Sequence, residues 1–536
     1  MRQIILFILG LIITVNCAFA QIVIQGQKVT GGSSYDELHS TFATKDGGLI
    51  AAGTSYSNKS GEKTQNTRGG SDYWVVKMNK TGKIEWDKTF GGNGSDYCKA
   101  VIQTSDGGYV LAGESNSYIS VEKSEDSRGF TDYWIMKLDS SGNIEWDKTI
   151  GGTGTELIDN VVQTDDGGYM LAGSSDSYAS WEKSENTRGS LDMWVVKLNK
   201  SGKKIWDKTI GGYDYDLCSG IQITKDGGLI LAGFSGSGRS GEKSEDNRGF
   251  QSDFWIVKLD RKGSIQWDKT IGGSADDYGR GVQQTQDGGY IIAGNSNSNI
   301  SGEKSENSRG GYDYWVVKID SAGHFLYDKT IGGDYDEIDV WCLEKTSDNG
   351  FIFGGSSYSG ISGEKTEGSR GASDYWVIKL DNKGNIAWDK TVGGDSYDNL
   401  LSIKEAGKNI YSLGGFSWSG LSGDKTFSSR GEADYWVVLI NDKQGVSKTS
   451  ATTAANANIK VADKKSFIVY PNPAKDIINI RNNGRAEFVL TDQSGKSIVK
   501  RVIENNGAIS VAGFAAGVYY LKNMSGGAVQ KIVVQK

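Results

Sequence analysis

Between residues 22 and 442 the apolar positions come in short runs bounded by Asp, Asn, Ser and Gly, a pattern of strands and turns rather than of helices. One unit shows the order. Residues 99–104 are a first strand, Asp106-Gly107-Gly108 supplies hairpin chemistry that permits positive φ, and residues 109–114 are a second strand. After a long polar stretch, residues 132–138 (DYWIMKL) form a third strand, Ser141-Gly142-Asn143 turns the chain, and residues 144–150 (IEWDKTI) form a fourth. Four antiparallel strands per unit is the geometry of a propeller blade.

The unit recurs. Asp-Tyr-Trp or a close variant begins at Asp72, Asp132, Asp192, Asp253, Asp313, Asp374 and Asp434, always 60 or 61 residues apart, and a period of that length means an array or a propeller. The seventh copy stops after its third strand, whereas Gly26–Gly32 (GQKVTGG) aligns with Trp86–Gly92 (WDKTFGG) and so is a displaced fourth strand. Pairing that strand with residues 434–440 closes a circle and removes an edge that would invite aggregation. The expectation is an all-β, seven-bladed β-propeller of four-stranded blades over 22–442, closed by an N-terminal strand. An open β-solenoid is the alternative, disfavoured by the matching incomplete ends.

Composition supports paired strands. The 536 residues include 75 glycines but two prolines, Pro471 and Pro473, both outside the repeats, as suits a body in which most backbone donors are used. Of 15 tryptophans, seven belong to Asp-Tyr-Trp and five to Trp-Asp-Lys-Thr, which reads as packing between blades rather than a cofactor site. The order of strand, turn, strand, loop and Trp-containing strand resembles the WD-repeat and related propellers. The resemblance is architectural, because this unit is longer and lacks a Trp-Asp pair at the end of its third strand, so it implies no partner.

Residues 1–20 carry Arg2, an apolar run from Ile4 to Val15 and the ending Ala18-Phe19-Ala20, the pattern of a cleavable secretory signal. Lipoprotein processing at Cys17 is disfavoured by Asn16. No later stretch has the roughly 18 continuous apolar residues of a membrane helix, so no membrane span is expected after cleavage. Removing Arg2 takes the net charge from -7 to -8, which argues against nucleic acid as a partner. Cys98 and Cys218 hold equivalent places two repeats apart and, with Cys342, are expected to be buried thiols.

Residues 443–465 form a small-residue polar linker, and the domain that follows, 466–536, has the alternation of a small C-terminal β-sandwich, with strands near 467–469, 477–481, 486–491 and 518–522. Its series Tyr470-Pro471-Asn472-Pro473, then Gly517-Val518-Tyr519-Tyr520-Leu521 and terminal Lys536 resembles the type A C-terminal sorting domain of the type IX secretion system of Bacteroidetes. That resemblance implies type IX secretion machinery as a partner, with Tyr470, Pro471, Asn472, Pro473, Gly517, Tyr519 and Lys536 as the sorting motif. It also implies export through the periplasm to the outer-membrane surface or the extracellular space.

Chemistry is sparse. His39 and His324 occupy non-equivalent repeat positions, and no zinc or phosphate-binding motif is present, so no catalytic or metal-binding residue is assigned and no cofactor is expected. Acidic residues in the unit-joining segments, Asp214 and Asp216, Asp276 and Asp277, Asp334, Asp336 and Asp339, and Asp395 and Asp398, are read as turn residues. Calcium is possible there without a specific motif for it. Arg68, Arg128, Arg188, Arg248, Arg309, Arg370 and Arg430 recur in every long loop and are expected to lock loop to blade, through the Asp of Asp-Tyr-Trp.

Symmetry breaks at one loop position. Aligned on Gly-Glu-Lys, the long loops carry Tyr56, Tyr358 and Trp418 in units one, six and seven, Tyr118 and Tyr178 two residues on in units two and three, and Trp181 in place of a glycine. These six are the candidate ligand-binding residues, an aromatic arc suited to sugar rings or peptide side chains. The expected function is a non-catalytic binding or adhesion module for a surface glycan or protein. A carboxylate-dependent polysaccharide hydrolase or lyase is the alternative, disfavoured because the polar repeat positions are near-uniform.

Overall fold

The computed structural model describes residues 21–443, 467–470, 475–492, 496–524 and 529–535. The expected signal at 1–20 and nearly all of the linker lie outside these residues. No helix occurs among the described residues.

Seven four-stranded antiparallel sheets stand as blades. In blade two the strands are Asp96–Gln103, Tyr109–Ser115, Asp132–Leu138 and Ile144–Ile150, paired in that order. The middle two strands are buried along their whole length, whereas the outermost alternates between exposed and buried, so continuous apolar runs mark the inner layers and alternation marks the rim. First strands of neighbouring blades pack side by side all the way round, Asp36–Ala43 of blade one against Asp398–Gly407 of blade seven included. Blade seven takes its fourth strand from the N-terminus: Gln21–Thr30 pairs antiparallel with Asp434–Lys443, in a register running from Gln21 opposite Lys443 to Thr30 opposite Tyr435.

The Asp-Tyr-Trp strand makes the contacts between blades. Tyr73 Oη donates to the Trp134 carbonyl of the next blade at 3.0 Å, with the two rings 4.8 Å apart. Tyr435 closes the circle in the same way onto Trp74, at 3.0 Å and 4.7 Å. Each tryptophan also donates its indole N–H within its own blade, Trp74 to Asp87 at 3.1 Å. In blade seven the acceptor is Gln27 Oε1 at 3.2 Å from Trp436, because the N-terminal strand carries Gln where the other units carry Asp. In five units a buried lysine of the long loop bonds across its blade, as Lys63 Nζ does to Thr89 Oγ1 at 2.7 Å, and Lys63 lies 5.6 Å from the centre of the Trp74 ring.

The repeated arginines are structural, held to the Asp of Asp-Tyr-Trp as expected and to a second acid besides. Their backbone N–H groups donate to the Asp of Asp-Tyr-Trp, Arg68 to Asp72 at 2.7 Å, while the guanidinium reaches an acid in the next blade. Arg68 meets Glu122 at 2.7 Å, and the pairs continue round to Arg430 and Glu62 at 2.5 Å. In three units the guanidinium also lies within 3.6–3.8 Å of the Asp four residues on, as Arg370 does of Asp374, so the long side chain bridges its own blade and the neighbour.

The Gly-Gly pair that ends each unit has a steric cause. A Cβ on Gly91 would lie 2.1 Å from Asp72 Oδ1, so only glycine leaves room for that carboxylate. Asp72 Oδ1 and its six counterparts are buried without a hydrogen-bond partner, and each faces a buried acid of the next blade, Asp72 facing Asp96. Burial raises Asp72, Asp216, Asp374 and Asp434 to about 6 and Asp253 and Glu156 to about 7. Burial likewise lowers Lys63 and Lys123 to about 8. Cys98, Cys218 and Cys342 are free and buried.

The C-terminal unit is a separate all-β body. Its strands are Phe467–Tyr470, Ile477–Thr491, Ser497–Ser510, Gly517–Asn523 and Val529–Val534, joined in one sheet. The two strands expected at 477–481 and 486–491 are one long strand with an irregularity between Arg481 and Arg485. Its first part pairs with Phe467–Tyr470 and its second with Gly517–Asn523, around a core that includes Ile478, Phe488, Leu490, Leu521 and Ile532.

Two outcomes follow from this architecture. A chain beginning at Gly31 loses the strand that covers Asp434–Lys443 and with it buried Val29, a residue worth about 1.5–3 kcal/mol alone. It should melt lower and self-associate by light scattering; unchanged melting with a monodisperse peak would contradict the closure. The interface carboxylates have folded pKa values raised above the unfolded ones, so their stabilisation is complete below about pH 4 and is lost as pH rises through 6 to 7. The lysines regain stability only above about pH 8. The melting temperature should therefore be higher at pH 5 than at pH 7.5, and the reverse order would show that these acids ionise freely in the folded state.

Candidate functional site

The first strands enclose a central channel with a cavity of about 600 Å³. Each of them carries a β-bulge near its middle, between Leu38 and Ser40, Cys98 and Ala100, Ile158 and Asn160, Cys218 and Gly220, Gly279 and Gly281, and Leu400 and Ser402. A bulge leaves one residue unpaired and re-aims its side chain. Here those residues are His39, Lys99, Asp159, Ser219, Arg280 and Leu401, which differ in chemistry from blade to blade. Blade six has a larger irregularity, in which Asp339, Val340 and Trp341 oppose Gly355, and Asp339 adopts a left-handed φ of 62°, a conformation that costs a non-glycine residue about 1 kcal/mol or more.

The expectation that polar repeat positions are near-uniform fails at this position. It holds for the motif residues that build interfaces, and it fails where the bulge frees a side chain from the interface. His39, assigned no catalytic or metal-binding role from sequence, lines the channel, as does Asp339, read as a turn residue. Asp216, Asp277 and Asp398, also read as turn residues, are instead fully buried. Among the described residues no group of three or more His, Cys, Asp or Glu side chains is placed to hold a metal ion.

Electrostatics in the channel are mixed. His39 Nε2 lies 3.4 Å from Glu37 Oε1, yet burial, helped by the Lys99 ammonium, holds the imidazole well below its usual range and so neutral at pH 7. Burial raises Asp159 to about 6, against the pull of Lys99 and Arg280, and raises Glu114 beside them to about 7. Burial also raises Glu37 and Asp339. The Arg280 guanidinium stacks over Trp341 at 4.0 Å and lies 5.2 Å from Phe234, with Nη1 3.4 Å from Ser219 Oγ.

Aromatic residues gather beside the channel where the joining segments enter. Tyr358 contacts Tyr397, Tyr397 contacts Trp418, Trp418 contacts Tyr35, and Tyr35 contacts Tyr56, with centroids 5.6–6.5 Å apart. Trp418 also meets Phe416 at 5.1 Å, and Phe416 lines the channel. This chain of rings crosses blades six, seven and one. A second group, Tyr215, Phe234, Tyr278 and Tyr312, lies on blades four and five.

Of the six candidate rings, the structure therefore brings Tyr56, Tyr358 and Trp418 together. Tyr118, Tyr178 and Trp181 are 64%, 69% and 70% exposed and touch none of those three. Trp181 sits over Arg128 at 5.5 Å with a φ of 50°, and the equivalent Gly61 shows the constraint, since a Cβ there would lie 2.1 Å from the Gly31 carbonyl. Sequence reasoning missed Tyr35, Tyr215 and Tyr397. They share one repeat position, immediately before the first-strand acid, and aligning the joining segments rather than the long loops would have found them.

In the C-terminal unit Tyr470 ends one strand, and Gly517 and Tyr519 lie in another. Tyr519 is buried and donates to the Ala515 carbonyl at 2.9 Å. Pro471, Asn472, Pro473 and Lys536 fall outside the described residues.

Residues 468–535 match the family model described as secretion system C-terminal sorting domain. The C-terminal module is thus a type IX sorting domain, and the chain is handled by that secretion machinery and exported to the cell surface or extracellular space. Two curated proteins are similar over part of the chain. The regulatory protein FlaEY of Caulobacter vibrioides is 23% identical over 189 residues, 34% of this chain and 20% of that protein. Beta-agarase A of Zobellia galactanivorans is 29% identical over 116 residues, 20% of this chain and 21% of that protein. The chain spans about a fifth of the length of each.

Solved structures similar to the chain include a protein of unknown function from Dyadobacter fermentans, at 11% identity and TM-score 0.40, covering 79% of this chain and 99% of that one. A puromycin hydrolase gives 10% identity and TM-score 0.45 over 84% of this chain and 59% of that one. The aldose sugar dehydrogenase of Streptomyces coelicolor gives 10% identity and TM-score 0.34, covering 79% and 98%.

Proposed function

We propose that this exported propeller is a non-catalytic glycan-binding protein whose ligand is received at the channel end flanked by the two aromatic groups. The observation that carries the reading is the bulge position, where a near-symmetric scaffold presents His39, Lys99, Asp159, Ser219 and Arg280 to one cavity. Charged and hydroxyl side chains of that kind suit a hydroxyl-rich ligand, and half-exposed rings such as Tyr56 and Tyr397 suit the apolar faces of sugars. A protein ligand would find less here, because the polar groups lie inside a channel rather than on a broad face.

One observation favours catalysis as a second reading: Glu37, Asp159 and Asp339 line the same cavity and burial raises all three, as acid catalysis on a glycosidic bond requires. Binding of the full mature chain to a panel of polysaccharides, with reducing ends assayed in parallel, separates the two. The binding reading expects affinity without release of reducing ends, and a loss of about tenfold or more in Trp418→Ala, by analogy with bases stacked on aromatic rings, worth about 1–3 kcal/mol each. Hydrolysis abolished by Asp159→Asn would establish the second reading, and unchanged binding in Trp418→Ala would remove the aromatic site.

A further inference from the structure

The channel holds a guanidinium that the protein does not satisfy. The seven long-loop arginines each pair with an acid of the next blade, at 2.5–3.1 Å. Arg280 differs. Among the described residues no carboxylate reaches ion-pair distance of it, its one hydrogen bond is the 3.4 Å contact with Ser219, and its Nε is buried without a partner. A buried donor left in this state is destabilising, and the other blades show that the fold does not require it, since His, Lys, Asp, Ser and Leu occupy the same place.

The surroundings hold the group in position. Gly279 and Gly281 flank it, and a Cβ on either would collide, with the Gly233 carbonyl at 2.5 Å and with Leu343 Cβ at 2.7 Å, so the strand packs tightly around the bulge that presents Arg280. Trp341 covers one face of the guanidinium at 4.0 Å and Nε is buried, which leaves the Nη end as the recognition surface. Asp159 and Asp339 act on it through space only, and the Asp339 carboxyl is engaged with Trp341. Lys99, the other cation at the bulge position, also makes no hydrogen bond or ion pair among the described residues.

We infer that Arg280 is the receptor for an anionic substituent, a carboxylate or a sulfate, on the glycan that enters the channel. A guanidinium whose Nη2 has no partner and whose Nη1 makes one long bond to Ser219 can donate to either oxyanion, and Lys99 supplies a second positive charge in the same cavity. This rests on the glycan reading above, and it narrows the ligand from sugars in general to acidic ones.

The test uses the full mature chain with three trisaccharides: galacturonate, sulfated galactose and neutral galactose. The expected result is tighter binding of one or both anionic forms, an advantage over neutral galactose that falls about tenfold or more in Arg280→Gln, with a melting temperature equal to or above that of the parent. Galacturonate favoured over sulfate identifies a carboxylate as the group, and the opposite order a sulfate. Lys99→Gln gives a second variant should Arg280→Gln unfold. Equal binding of neutral and anionic forms, unaffected by Arg280→Gln, would overturn the inference and leave the glycan reading intact. If no trisaccharide binds, free galacturonate and inorganic sulfate decide: a rise in melting temperature in the parent but not in Arg280→Gln keeps the anion site and sinks the glycan reading, and no rise overturns both.

Discussion

Everything in the propeller depends on one contact, the Asp-Tyr-Trp strand of each blade reaching the same strand of the next. In four blades a tyrosine hydroxyl satisfies the tryptophan carbonyl of the next, as Tyr73 does for Trp134 with the two rings packed together. Met193 and Phe254 fill the same place without a hydroxyl, and Tyr314 bonds the Ser356 carbonyl. The contact is directional, so a blade cannot complete its own interface and must wait for a neighbour. Such a chain of dependencies ends only when it closes, and Tyr435 on Trp74 is the closing step. The N-terminal strand serves that step by completing blade seven, down to a glutamine that replaces an aspartate under Trp436.

A scaffold held by repeated outer interfaces leaves its axis free. The bulge residues of the first strands take no part in the Asp-Tyr-Trp contacts, and the chain has diversified them while keeping the motifs on either side. Their burial is unfavourable for charged groups, as the raised carboxylates Glu37, Asp159 and Asp339 and the neutral His39 show. Polar groups kept in such a place despite the cost fit a binding site better than a structural role.

The blades were legible because the period repeats the same chemistry seven times. The bounds 132–138 and 144–150 coincide with observed strands, and the seven-residue alignment of Gly26–Gly32 with Trp86–Gly92 located the closing strand. The channel was not legible by the same means, since a bulge is a register shift between partners and leaves no mark in one strand's sequence. His39 therefore carries no role in the sequence reading, and Arg280 stands out in no motif. The aromatic arc was half legible: Trp418 was found through its loop, but its neighbours Tyr35 and Tyr397 come from joining segments that only folding brings alongside.

The separation of scaffold from channel is the central claim, and thermal unfolding of a His39→Ser, Lys99→Ser, Asp159→Ser triple variant tests it most directly. Serine is what blade four already carries there, so the fold accommodates it. The account predicts a melting temperature equal to or above that of the parent, because three buried charged or polar groups are removed and no interface is touched. A fall of more than about 4 °C, on the order of 1 kcal/mol or more, would show that these residues hold the blades together and would contradict it.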